Sequence, residues 1–509
     1  MTINKSFMPY WGKADPNYAG EPKWHPLAFH CLDVAAVGRE YLHRAPAIRS
    51  LLMKSLQIEN EVAIENWVAF WLALHDLGKF SEAFQSQRPD LFANLHGRQP
   101  DPSKSYRLRH DSLGMLFWKE VLGPKAVEDE WFGPDSEDAL FGLDSWARAV
   151  TGHHGQPPIE GGDFWEQHFN RVEDRNAIVE FVTELRALLV DGPVTAIPST
   201  LDAETFHRAS IDLSWWIAGL AVLADWLGSN TNFFAYRNYP DHVLPLADYW
   251  EYAKKQATIA LNATGVLPVN SKHALSFTEM FPTIDTPSPL QDWAAKVELA
   301  LGPQIHLLED VTGAGKTEAA VTLAHRLMVT GCADGFFIGL PTMATANAMY
   351  GRIAQVYAKL FSDSASLVLA HGQRRLVEAF AESVVPSGPQ ENDARQADDS
   401  ATARCAAWLA DHNKRALLAP AGVGTLDQAL LAVLHSKHQS LRLLGLFRKV
   451  LIVDEVHACD AYMQGVLETL LEFHASVGGS AILLSATMPQ RMKQALLDAF
   501  AKGCRSAVP

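Results

Sequence analysis

The sequence predicts two domains in tandem, an all-α domain followed by an α/β domain built on a parallel sheet. Three observations carry this reading. The chain has 509 residues, whereas single hydrophobic cores stop growing near about 250–300 residues. From about residue 25 to 260 apolar residues recur three and four apart, as in ENWVAFWLALHDLGKF and HRASIDLSWWIAGLAVLADWLG, with no strand alternation. After LNATGVLPVNSKH short apolar runs alternate with helical ones: IHLLED, FFIGLP, LVLA, RALLAP, KVLIVDE and AILLSAT. That alternation is the pattern of parallel strands joined by crossover helices. Gly, Pro, Asn and Ser accumulate between Ala263 and Thr283, so the expected domains are residues 1–265 and 272–509.

Composition bounds the function. Apolar residues make up 48% of the chain and charged residues 20%, which is ample surface for folded cores. The net charge of −15 excludes a protein that grips nucleic acid through its overall field, so any grip is local or supplied by a partner. Cys31, Cys332, Cys405, Cys459 and Cys504 lie far apart with no C-x-x-C pair, which reads as a reducing cytoplasm. The N-terminal MTINKSFMPYWGK lacks the apolar stretch of a signal peptide, and Ser214 to Gly228 reads as too short for a spanning helix and carries Asp225. Neither secretion nor a membrane is expected, and the expected location is cytoplasmic. Seven carboxylates between Glu128 and Asp144 are expected to form a solvated acidic loop. Pro386 to Ala403 offers almost nothing to bury and reads as a mobile loop inside the second domain.

The first domain carries metal-ligand residue types beside apolar helical sequence. His75 and Asp76 end the helix of LALHDLGKF, whose Trp67, Phe70, Trp71 and Leu74 face a core. Their company is His30 in LAFHCLDVA, His110 in RLRHDSLG, His153 and His154 in VTGHHGQP, and Asp225 in LAVLADWLGSN. An ionised carboxylate in so apolar a helix as that of Asp225 is costly unless a cation or hydrogen bonds compensate it. Imidazole and carboxylate together suit first-row transition ions, and Asp76 is the natural bridge between two of them. Two such ions would orient a phosphodiester and activate water. Lys79, one turn after His75, either neutralises the scissile phosphate or faces solvent. Ser229 stands one turn past Asp225 and reads as an ordinary polar residue. The ordered set of His, His-Asp, His, His-His and Asp resembles the nuclease branch of the HD phosphohydrolase superfamily. That resemblance implies one metal on His30, His75, Asp76 and Asp225 and another on Asp76, His110, His153 and His154.

In the second domain the strand IHLLE runs into DVTGAGKTEAA, which opens a helix. Gly313, Ala314 and Gly315 let backbone N–H groups approach phosphates, Lys316 meets the β and γ oxygens, and Thr317 offers its hydroxyl to magnesium. The P-loop pattern wants Gly where Asp310 stands, so this chain adds a carboxylate near the phosphates. KVLIVDEVHACDAYM delivers Asp454 to magnesium and Glu455 to the attacking water, with His457 as a sensor of the γ-phosphate. DEVH resembles the DExD/H box of superfamily 2 helicases, and Ser485, Ala486 and Thr487 of LLSATMP resemble the motif that couples hydrolysis to movement on DNA. Gln291 in TPSPLQDWA resembles the glutamine that reads adenine. Thr342, Thr425 and Gln428 are candidate contacts to a DNA strand's phosphates.

A metal-dependent HD nuclease ahead of a DEVH helicase domain, with DEVHACDAYM and GTLDQALL as written, resembles the signature helicase-nuclease of type I CRISPR systems. The resemblance implies a RecA-like second domain and ATP with Mg. It implies two divalent ions in the nuclease site, drawn from Mn, Fe, Co and Ni, and degradation of single-stranded DNA marked by an RNA-guided surveillance complex. The chain stops about twenty residues after Thr487, so a second RecA-like domain is expected on another chain or in a missing remainder. Two rival expectations stand beside this one. The first domain could hydrolyse small nucleotides under a regulatory P-loop domain, or the chain could be a docking module that only presents the nuclease.

Overall fold

The computed structural model describes residues 5–133, 136–190, 192–237, 245–362, 365–371, 384–385, 405–406, 409 and 413–506. The chain separates into two compact units, Met1–Leu261 and Asn262–Pro509. The polar segment from Pro386 to Ala403 lies outside the described residues.

The first unit opens with a short antiparallel pair, β1 (Trp11–Ala14) and β2 (Trp24–Pro26). Four- and three-residue strands are too short to show alternation, so they escape a sequence pattern. Six helices then carry most of the core: α1 (Leu27–Arg44), α2 (Glu61–Ala73), α3 (His110–Phe117), α4 (Ser136–Thr151), α5 (Glu173–Leu189) and α6 (Ala203–Gly228). Helix α2 starts where Asn60 accepts from the Ala63 N–H at 3.1 Å, and α6 where Asp202 accepts from the Thr205 N–H at 3.0 Å. Both α2 and α6 pack on α1, and α6 also on α4, around the buried rings of Trp67, Trp71, Trp118 and Trp146.

Two readings are corrected here. Helix α6 runs for 26 residues, long and apolar enough to cross a bilayer, but 67% of its most apolar stretch is buried inside the protein. Its apolar surface is therefore committed to α1 and α4. The acidic stretch is no loop from Ser136 onward, because that residue begins α4 and Asp144 there accepts from the Trp118 indole at 2.8 Å.

The second unit is built on a six-stranded sheet with every neighbouring pair parallel. Its strands are β3 (Ile305–Glu309), β4 (Gly335–Leu340), β5 (Leu367–Ala370), β6 (Ala421–Thr425), β7 (Lys449–Val453) and β8 (Ala481–Ser485), in the order β3-β8-β7-β4-β6-β5. Helices α7 (Pro289–Lys296), α8 (Lys316–Val329), α9 (Met343–Ala354), α10 (Leu426–Leu430) and α11 (Ala461–Ser476) flank or cap it. The run RALLAP is not a strand: it falls in a 3₁₀ turn over Asn413–Leu418, and the strand is the following AGVGT. Glycine-rich segments have low strand propensity, yet close packing demands them here. A Cβ on Gly422 would lie 2.8 Å from the Phe337 ring, and one on Gly424 would lie 2.3 Å from the Ala370 carbonyl oxygen.

Lys449 opens β7 in full burial, donating to the Leu417 carbonyl, and burial pulls its ammonium down to about 7. The unfolded chain holds that proton up to about pH 10.4, so between pH 7 and 10 unfolding takes up a proton and stability rises with pH. Relative to wild type, Lys449→Met is expected to flatten that rise, by at most about 1.4 kcal/mol per pH unit, in melting curves recorded from pH 7 to 9.

Candidate metal centre and nucleotide site

In the first unit the seven metal-ligand candidates come from five stretches of chain and meet around one carboxylate. His30 sits in the first turn of α1, His75 just beyond α2, and Asp76 at the start of a 3₁₀ turn over Leu77–Phe80. His110 opens α3, His153 and His154 follow α4, and Asp225 lies in the last turns of α6. The glycine after His75-Asp76-Leu77 is a packing requirement, since a Cβ on Gly78 would lie 2.0 Å from the His110 carbonyl oxygen and 2.6 Å from the Gly114 nitrogen. That close approach seats the Asp76 turn against the helix of His110.

Asp76 is fully buried, and its two oxygens face different partners. Oδ2 lies 3.2 Å from the Nε2 atoms of both His30 and His75, and Oδ1 lies 3.5 and 3.6 Å from the Nε2 atoms of His110 and His153. Asp225 Oδ1 stands 3.6 Å from His30 Nε2 and 3.9 Å from His75 Nε2. His30 and His75 face each other through Nε2 at 3.3 Å, as His110 and His154 do at 2.7 Å. Donor atoms about 2.1 Å from a common ion, at tetrahedral to octahedral angles, lie about 3.0–3.4 Å apart. The donor set His30, His75 and Asp76, and the set His110, His153 and His154, each keep all their ligand atoms within 4.8 Å. The residues therefore fit a pair of cations with Asp76 between them.

Tautomers favour the same use. His75 Nδ1 donates to the Leu72 carbonyl at 2.9 Å and His153 Nδ1 to the Val150 carbonyl at 3.1 Å, which leaves each Nε2 a free lone pair. His110 Nδ1 meets the Tyr106 hydroxyl at 3.0 Å. Burial, with the Lys13 ammonium nearby, takes His30 down to about 4; burial takes His110 down to about 3 and His153 well below its ordinary value. These imidazoles are neutral at pH 7. Burial alone would raise Asp76, but Lys79, His75 and His30 outweigh it and hold the carboxyl ionised.

Lys79 does not face solvent: it is buried, with Nζ 2.5 Å from Asp76 Oδ2 and donating to the Gly12 carbonyl at 3.4 Å. Ser229 donates to Asp225 Oδ1 at 2.8 Å and so orients that carboxylate. Three contributors lay outside the sequence reading. Lys13 places Nζ 3.9 Å from Asp225 Oδ1, Tyr106 braces His110, and Gln85 ties β1 to the Asp76 turn. Of these only Tyr106 had a signal, standing one turn ahead of a helix-opening histidine.

In the second unit the strand order decides the site. The strand ending at Ser485 lies between the P-loop strand β3 and the Asp454 strand β7, so three loops meet at the carboxyl ends. Gly313 and Gly315 take φ of +86° and +83°, which only glycine adopts without strain, and Lys316 opens α8. Lys316 Nζ donates to the Asp310 and Val311 carbonyls at 2.6 and 3.0 Å, folded into the loop it serves. Thr317 follows it on α8. Glu455 takes φ +52°, a strained value for that side chain, and its N–H donates to Asp454 Oδ1 at 2.9 Å. His457 Nδ1 reaches Ser485 Oγ at 3.0 Å, linking DEVH to SAT. Burial, and the adjacent Glu455 carboxylate, hold Asp454 above its ordinary range.

The remaining candidates differ in exposure and in what they contact. Gln291 is 4% exposed, its Oε1 accepting from the Ser288 N–H at 2.9 Å and its Nε2 donating to the Gly315 carbonyl at 3.4 Å, so it packs directly against the P-loop. Thr425 is buried, and Gln428 Nε2 donates to Asp427 at 3.0 Å, beside a carboxylate that repels phosphate. Thr342 is exposed, but its hydroxyl caps α9 through the Thr345 N–H at 3.2 Å.

With this geometry in view, comparison with known proteins is direct. The family described as Cas3, HD domain, matches residues 11–234. The CRISPR-associated endonuclease/helicase Cas3 of Escherichia coli is 34% identical over 96% of this chain, and that of Thermus thermophilus 32% over 98%. Residues 11–234 thus match the Cas3 HD domain, and nearly the whole chain is similar to Cas3 proteins. A solved T. fusca Cas3 structure with AMPPNP shares the fold over 98% of the chain, with a TM-score of 0.76 and 29% identity. A structure described as a CRISPR RNA-guided surveillance complex, pre-nicking, contains a chain that aligns over the same share with a TM-score of 0.66 and 26% identity. The chain spans about half the length of the Cas3 relatives it matches, 55% and 52% of the two named and 52% of the T. fusca chain.

Tyr106→Phe removes the brace on His110 without touching a ligand. Calorimetric titration with Mn²⁺ is expected to show affinity about tenfold weaker or more in one of two sites, with the melting temperature nearly unchanged.

Proposed function

We propose that the chain is the nuclease and first motor half of a DNA-degrading machine, with residues 1–265 as a metal-dependent nuclease domain and 272–509 as a RecA-like, ATP-binding helicase domain. The observation that carries the reading is the buried Asp76 carboxylate with the Nε2 atoms of a histidine pair facing each oxygen and the Lys79 ammonium beside Oδ2. In this reading His30, His75, Asp76 and Asp225 hold one divalent ion and Asp76, His110, His153 and His154 the other, drawn from Mn, Fe, Co and Ni.

Bound there, the pair supplies a water acidified to hydroxide and charge compensation for a phosphodiester. The chain's own residues do the rest. Asp76 keeps both sites in register, Nδ1 bonds to backbone aim His75 and His153, and Lys79 neutralises charge beside Asp76. The balanced reaction adds water across one P–O bond, leaving a phosphate on one strand end and an alcohol on the other.

In the second domain Gly313, Ala314, Gly315, Lys316 and Thr317 cradle the ATP phosphates, and Asp454 with Glu455 handles Mg and water while His457 relays to Ser485. The T. fusca relative that carries AMPPNP supports ATP as the ligand. A second RecA-like lobe, carried elsewhere, completes the motor. The substrate is single-stranded DNA, delivered by an RNA-guided surveillance complex of the kind found with a structural relative, in the cytoplasm.

The chain is to be incubated with circular single-stranded DNA and Mn²⁺ or Ni²⁺ without ATP, beside Asp76→Ala. Cleavage by wild type, reduced at least about 10³-fold in the variant, is the expected result. Folded wild type that spares DNA with every transition metal but hydrolyses free nucleotides would overturn the reading in favour of a nucleotide phosphohydrolase. Separately, Lys316→Ala is expected to weaken binding of a fluorescent ATP analogue at least about tenfold, read by anisotropy.

A further inference from the structure

Among the described residues two ammonium groups stand at the proposed metal centre, and only Lys79 belongs to the His-Asp motif. Its Nζ is clasped between Asp76 and the Gly12 carbonyl, with 7% of the side chain exposed. Lys13 is placed differently. Its Nζ is 3.9 Å from Asp225 Oδ1, beyond hydrogen-bond length, and its side chain is 27% exposed. Among the described residues Lys13 Nζ makes no hydrogen bond, so its N–H donors are uncommitted beside Asp225.

The hairpin that presents Lys13 is held to the centre at three points. Gly12 lies so close to α1 that a Cβ would fall 2.9 Å from Leu27 Cα and 3.2 Å from His30 Cβ. Lys79 donates to the carbonyl of the same Gly12. Gln85, wholly buried, accepts from the Trp11 N–H at 3.1 Å and donates to the Trp11 and Lys79 carbonyls at 2.9 and 2.7 Å. This side chain locks the backbones on either side of the centre into one register. A lysine two residues past such a clamp is held far more rigidly than a surface lysine on a short strand requires.

We propose that Lys13 is a catalytic residue of the nuclease, its ammonium taking a non-bridging oxygen of the scissile phosphodiester, with Gln85 as the positioning residue that fixes the hairpin. The inference rests on the nuclease reading above. An ammonium kept beside Asp225 by a fixed backbone needs little reorganisation as negative charge builds on the phosphoryl oxygens, which is where a pre-placed cation is most effective. Asp225 then serves twice through one oxygen, its Oδ1 facing His30 and His75 at 3.6 and 3.9 Å and standing 3.9 Å from Lys13 Nζ.

The test uses the full chain loaded with Mn²⁺ and two readouts. Calorimetry follows binding of a thymidine dinucleotide joined by a single phosphorothioate linkage, a diester with no terminal phosphate for the P-loop, and initial rates follow cleavage of circular single-stranded DNA. Lys13→Met is expected to bind the dinucleotide about tenfold more weakly and cleave about 10²-fold more slowly, with Mn²⁺ stoichiometry, Mn²⁺ affinity and melting temperature unchanged. Lys13→Arg is expected to recover most of both. Wild-type behaviour of Lys13→Met in both readouts overturns the proposal, and so does loss of Mn²⁺ in step with cleavage, which would make Lys13 a prop for Asp225. If metal-loaded wild type neither binds the dinucleotide nor cleaves DNA, the nuclease reading itself fails and takes this inference with it.

Discussion

A single buried carboxylate organises the first unit. Asp76 has no exposed surface, and moving an unpaired carboxylate from water to such a place costs several kcal/mol. Here the Lys79 ammonium at 2.5 Å offsets part of that cost, and four imidazole nitrogens stand at 3.2 to 3.6 Å, divided between its two oxygens. Those imidazoles come from α1, the end of α2, α3 and the end of α4, so the packing of four elements is specified by what surrounds one side chain. Gly78 and Gly114 belong to the same constraint, because without a Cβ the Asp76 turn can lie against α3 at backbone distance.

The ring of donors is poorly self-satisfied, and that is its functional content. His30 Nδ1 and Asp76 Oδ1 lack a hydrogen bond, Asp76 Oδ2 has the Lys79 ammonium beside it, and two pairs of histidines point Nε2 at Nε2. Buried polar groups of a purely structural cluster are normally paired. Imidazoles aimed at a carboxylate through Nε2 make a good cage for cations, and the backbone bonds to His75 and His153 Nδ1 hold that cage before any ion arrives.

In the second unit the corresponding constraint is strand order. β8 between β3 and β7 places Ser485 beside the P-loop and the DEVH turn, and the His457 to Ser485 contact follows from that adjacency. Strain is localised at the same place: Glu455 adopts a left-handed backbone conformation where strand β7 gives way to the turn. Gln291 supports the assembly from below, where a Cβ on Gly315 would fall 2.0 Å from its amide nitrogen.

The two-part architecture, the parallel sheet and the cluster of histidines and aspartates from His30 to Asp225 were legible in the chain because each rests on local information: apolar periodicity, or chemically unusual residues beside apolar helix. The P-loop was legible for the same reason, since Gly313, Gly315 and Lys316 act through backbone geometry within one turn. The AGVGT strand was not, because its glycines answer to Phe337 and Ala370 on neighbouring strands. Nor were Lys13, Tyr106 or Gln85. A lysine in YWGK carries no mark until a hairpin lays it against α6's Asp225, more than two hundred residues on. Composition and periodicity determined which elements form and which side chains carry chemistry. Only tertiary packing decided which oxygen of Asp76 each histidine faces, that Thr425 is buried and Gln291 lies against the P-loop, and that a second lysine stands beside Asp225, because those are distances between elements that no local sequence encodes.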